Sequence, residues 1–97
     1  MKTDKTKVIF RKFDESDDII AIFPEIPGTN NGWDCQSYMR VGQHGAADPH
    51  GILQITTLAS AAEYGELKKE LENIGYKLEV MKKITGKADR IRREAVN

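Results

Sequence analysis

The sequence predicts an α+β fold: an antiparallel sheet of four to five strands, one main helix packed on one face, and a short basic C-terminal helix. Three observations carry this. Short apolar stretches with period-two alternation fill the first half of the chain. One well-capped helical stripe appears only after residue 60. Turn signals separate the elements, and no linker divides the 97 residues, so residues 1–97 are read as a single domain.

The first strand is "KVIFRKF" from Lys7, with Val8 and Phe10 on one face and Ile9 and Phe13 on the other. The acidic turn "DESDD" leads to "IIAIFP", a continuous apolar run that reads as a strand buried on both faces and ended by Pro24. These two form a hairpin. "PEIPGTNNG" is a loop, in which Asn31-Gly32 suits a turn with positive φ. "CQSYMRV" sets Cys35, Ser37, Met39 and Val41 opposite Gln36, Tyr38 and Arg40. Gly42 to Gly51 is expected to be a long connection, and "GILQIT" a fourth strand.

The helix runs from about Ser60 to Ile74. Ser60 with Glu63 makes a capping box, and Tyr64, Leu67, Leu71 and Ile74 recur at three- and four-residue spacing. Gly75 supplies the left-handed stop. "YKLEVMKKI" returns to period two as a fifth strand, with Tyr76, Leu78, Val80 and Ile84 alternating. Beyond Gly86, "KADRIRREAV" is helical in pattern but too short to hold alone. The core is therefore placed at about 7–85. The basic tail, about 86–97, is expected to bury little and to be dispensable for folding.

Composition narrows the function. Fifteen basic and fifteen acidic side chains cancel, which argues against a protein that grips a phosphate backbone over its whole surface. Nucleic acid is thus not an expected partner. No apolar run approaches the ~20 residues of a membrane span, and the N-terminus lacks a signal peptide's apolar centre. A single cysteine, Cys35, agrees with a reducing compartment. A soluble cytoplasmic protein is the expectation, with no membrane partner.

Charge is unevenly placed. Between Ile26 and Ala62 the only charged residues are Asp34, Arg40 and Asp48, in a stretch rich in Gly, Asn, Gln, Ser, Thr and His. Within it "YMRVGQHGAADPHG" concentrates glycines, histidines and an aspartate. One reading is a turn whose His44 and Asp48 bond to backbone amides. The other is a recognition surface built from Trp33, Tyr38, Arg40, Gln43, His44 and Asp48, with Arg40 as the partner of a phosphate or carboxylate. Trp33 suits either a stacking platform or a core plug.

Enzymatic readings are weaker. His44, Asp48, His50 and Cys35 are zinc-ligand types, but their spacing matches no established pattern, so neither metal nor cofactor is expected. Cys35 with His44 would make a nucleophile and base, yet Cys35 sits mid-alternation as a small buried residue would. His44 with Asp48 as base and orienter is the remaining hydrolase alternative. No Walker loop, dinucleotide fingerprint or H-E-x-x-H is present. The cluster of Lys82, Lys83, Lys87, Arg90, Arg92 and Arg93, against Asp89 and Glu94, reads first as a solvated helix face, with contact to nucleic acid or an acidic protein as the alternative.

"KVIFRKF…IIAIFPEIP…CQSYMRVGQHGAADPHGIL", followed by "EYGELKKELENIGYKLEV", resembles a family of small uncharacterised proteins encoded by bacteriophages, plasmids and integrative elements of gut bacteria. The likeness runs from about Lys7 to Lys83, and "SYMRVGQHGAAD" is its most specific piece. It implies the company of accessory genes that block host factors or sequester small signals in a host cytoplasm. The expected function is a non-enzymatic binding protein, for counter-defence or host takeover, that holds a small polar, for instance nucleotide-like, ligand. The alternative partner is a host protein, inhibited through the same segment or by strand addition at a sheet edge. A homo-oligomer with a site between subunits fits a chain this small.

Overall fold

The computed structural model describes residues 5–39 and 43–96. Its elements are β1 (Thr6–Phe13), β2 (Ile19–Pro27), β3 (Cys35–Met39), β4 (Gln43–Ala47), α1 (Pro49–Ile55), β5 (Thr56–Leu58), α2 (Ala61–Asn73), β6 (Leu78–Val80) and α3 (Gly86–Glu94). The fold is α+β, with a six-stranded sheet in the order β4-β3-β2-β1-β5 and β6 joined to β1. Every pairing along that order is antiparallel.

The alternations in the sequence become the two faces of this sheet. Val8, Phe10, Ala21, Phe23 and Tyr38 point to one face, where Leu67 and Leu71 of α2 cover them. Tyr64 stacks on Phe10 with ring centroids 4.3 Å apart. Ile9, Ile20, Ile22 and Cys35 point to the other face, packed by Phe13, Met39, Ile52, Met81 and Ile84. β2 is buried along most of its length because both of its faces are covered, as its unbroken apolar run requires.

The capping box of α2 is formed: Ser60 Oγ accepts from the Glu63 amide at 3.3 Å, and Glu63 Oε1 accepts from the Ser60 amide at 2.8 Å. Gly75 follows at φ 114°, a conformation that L side chains rarely adopt. Ile74, at the end of the predicted stripe, is exposed.

Several expectations are corrected. "GILQIT" is mainly α1 and only its last residue enters β5. Pro49 sits in the helix's first turn, where its missing N–H costs nothing, and the Ile52 amide donates to Asp48 O at 2.9 Å. Short apolar runs do not distinguish strand from helix, and Asp48-Pro49 was the deciding signal. Part of the expected Gly42–Gly51 connection is strand β4, in register with β3 from Cys35↔Ala47 to Met39↔Gln43. β2 continues past Pro24 to Pro27 through an irregularity opposite Cys35 and Gln36. β6 is short and runs parallel to β1, because α2 carries the chain back across the sheet.

The C-terminal segment is no loose tail. α3 packs across β2, and Ala88 and Arg92 are buried. Arg92 is 1% exposed. Its guanidinium donates to Gly32 O at 2.9 Å, Pro24 O at 2.6 Å and Asp89 Oδ1 at 2.7 Å. A residue that composition assigns to a solvated face thus ties α3 to strand β2 and to the turn between β2 and β3.

Candidate functional site

The β3–β4 hairpin carries the centre of the predicted site. Ser37 and Gly45 face each other, and Ser37 Oγ donates to Gly45 O at 2.9 Å. The next pair is Tyr38↔His44, whose rings meet edge-on with centroids 4.7 Å apart. Tyr38 is buried, and its hydroxyl donates to the Glu70 carboxylate of α2. His44 is exposed; its Nε2 and the Tyr76 hydroxyl share a hydrogen bond of 3.0 Å. Tyr76 in turn stacks on Phe23 at 5.2 Å. The result is a row of polar aromatic groups along one end of the α2 face, with the imidazole outermost.

The other predicted site residues are distributed differently. Asp48 lies past the end of β4 as the N-cap residue of α1, where its side chain makes no capping bond. The His44 ring is engaged by Tyr76, not by Asp48. Trp33 sits on the turn before β3, 61% exposed, with the Arg93 guanidinium 4.3 Å over its ring. It is neither a core plug nor a neighbour of the Tyr38–His44 row in any ring contact among the described residues. Gln43 is described by its backbone, in β4 opposite Met39. Arg40 lies outside the described residues.

Sequence reasoning singles out neither Glu70, which lies within the expected helix, nor Tyr76 beyond its place in an alternating strand. It also missed a second histidine site. His50 Nε2 and Asp89 Oδ2 share a hydrogen bond of 3.0 Å, and the other oxygen of Asp89 accepts from Arg92. Burial pushes the Asp89 carboxyl up, but the bonds and charges of Arg92 and His50 outweigh it and hold it below the usual carboxylate range. Nothing local announces a pair separated by 39 positions. The i,i+3 spacing of Asp89 and Arg92 on one helix was the only available hint.

Cys35 is buried, and desolvation pushes its thiol up to about 11, away from the thiolate form that attacks. Among the described residues no group of three His, Cys, Asp or Glu side chains is placed to hold a metal ion. A cleft of about 600 Å³ is lined by Phe13, Asp14, Glu15, Ser16, Gln54 and Ile55. A second, of about 310 Å³, lies among Phe10, Leu58, Ala59, Tyr64 and Val80. Neither includes Trp33, Tyr38, His44 or Asp48.

What the hairpin does offer is an edge. β4 ends the strand order, and no strand pairs with its outer side among the described residues. His44, Gly45 and Ala46 are exposed. The strand "QHGAA" contains no Lys, no Pro and no formal charge, the devices that usually block edge pairing. No helix among the described residues is long and apolar enough to cross a membrane. Compared with protein-family models, with curated proteins and with solved structures, the chain finds no match.

Proposed function

We propose that this chain is a non-enzymatic binding protein that engages a protein partner by strand addition at the outer edge of β4. The observation that carries this reading is the uncharged edge of β4, which no strand pairs on its outer side among the described residues and which antiparallel strands support from behind. Main-chain groups of β4 supply affinity to an extended segment, and the exposed His44, held by Tyr76, supplies side-chain selectivity. The resemblance to proteins of mobile elements supports a host factor as the partner, with counter-defence or host takeover as the outcome.

Photo-crosslinking in host cells tests the reading. A crosslinking residue at position 46 should capture one protein species, and the same residue at position 72, on exposed α2, should not. Gly45→Lys should abolish capture, because it places a charge on the edge. That variant should still fold: a Cβ at Gly45 meets only Ser37 Oγ, at 3.9 Å, among the described residues, and the position is exposed. Capture that survives Gly45→Lys, or that occurs equally from position 72, would refute edge recognition.

A second reading is favoured by the exposed imidazole beside two tyrosines. His44 and Tyr76, backed by the buried Tyr38, would hold a small polar, planar ligand by stacking and hydrogen bonding. Native mass spectrometry of protein purified from its host would then show an added small-molecule mass, lost in His44→Ala.

A further inference from the structure

We propose that the outer face of α3, together with Trp33, is a contact surface for single-stranded nucleic acid. Ala88 and Arg92 turn inward, with Ile91 half-buried beside them. Helix geometry then places Lys87, Arg90 and Arg93, three residues apart, within an arc of about 120° on the opposite side. All of them are exposed, and none is in an ion pair among the described residues. Glu94 shares this arc, which remains positive. Lys82 and Lys83 are exposed on the connection that enters the helix.

Trp33 makes this surface more than a solvated basic face. Its ring is the largest exposed apolar group described, and the turn that carries it is hydrogen-bonded and packed against α3. The Trp33 amide donates to Asn31 Oδ1 at 2.8 Å, and Gly32 is buried beneath α3, its carbonyl accepting from Arg92. A Cβ at Gly32 would meet the Arg93 backbone at 3.1 Å, so the turn and the helix are in direct contact. Arg93 stacks on the indole. An exposed aromatic plane flanked by a row of cations combines a stacking platform with phosphate contacts, the pairing that single strands require. An acidic protein would meet the same cations; a single strand fits the combination because a base stacks on the plane while its phosphates reach the row of cations. The net charge of zero argues against this partner only as an average: Asp14, Glu15, Asp17 and Asp18 crowd the β1–β2 turn, while the cations gather on docked α3.

The sole tryptophan is its own reporter. Titration with an oligothymidylate of about 15 nucleotides at low salt should quench its fluorescence to saturation. With about three phosphates neutralised, raising salt threefold should weaken binding about tenfold. By anisotropy of a labelled strand, Lys87→Glu/Arg90→Glu should lose at least about tenfold in affinity, and Trp33→Ala about as much, since one stacked base carries that scale. Should the charge-reversed variant unfold, Lys87→Gln/Arg90→Gln gives the same comparison. Absence of binding at low salt, binding unchanged in folded variants, or equal quenching by poly-glutamate would each overturn the proposal, the last in favour of an acidic protein surface.

Discussion

Asp89 illustrates how much a single side chain can organise. It lies between Arg92, whose charge is buried, and His50, which is exposed, and so links α1 to α3. Removing it strands the guanidinium in a low-dielectric site, so Asp89→Ala should cost about 3 kcal/mol in urea unfolding. A loss under about 1 kcal/mol would mean that the two carbonyl acceptors suffice for Arg92. The pH dependence follows from the depressed carboxyl. A group whose folded value lies below its unfolded one stabilises above the ordinary Asp range, near pH 4, and loses that contribution as pH falls further. Glu63, held at about 2 by the Lys12 hydrogen bond and then the Ser60 amide, acts in the same direction. Acid unfolding should therefore be shallower in Asp89→Ala than in the parent. Parallel pH profiles would exclude Asp89 as an acid-sensitive tie.

At the scale of elements, α2 and α3 make opposite lessons. α2 was legible because its signals are local: Ser60, Glu63 and Gly75 cap it, and Leu67 and Leu71 mark its buried side. Leu67→Ala should cost about 2–5 kcal/mol, the range for a deleted buried leucine. The β1–β2 hairpin and the facing of Tyr38 against Cys35 and Met39 were legible for the same reason, since period two fixes which side each residue takes. β4 was not, because Gly45 and two alanines carry no strand signature, and its pairing with β3 is what makes it a strand. α3 was misjudged on charge. Its burial depends on Pro24 O and Gly32 O, backbone acceptors contributed from far along the chain. Deletion from Lys87 onward should accordingly lower the melting temperature by at least about 10 °C, not leave it unchanged. Of the predicted site, Tyr38 and His44 meet as neighbours, whereas Trp33 joins α3 and Asp48 starts α1. Their separation follows from the strand order and helix docking, which no local spacing encodes.

The whole molecule divides its surface by chemistry. α2 and α1 cover opposite faces of the sheet, and α3 packs on β2 and gathers cations beside Trp33, while no strand pairs with the outer side of β4 among the described residues. Recognition through main-chain pairing has a signature at that edge alone. Hydrogen exchange of the Gln43–Ala47 amides, compared between the free protein and the complex recovered from host cells, tests it most directly. Strand addition predicts at least about tenfold slower exchange on β4, with α2 unchanged. Unaltered exchange on β4, or protection centred on α2, would contradict it.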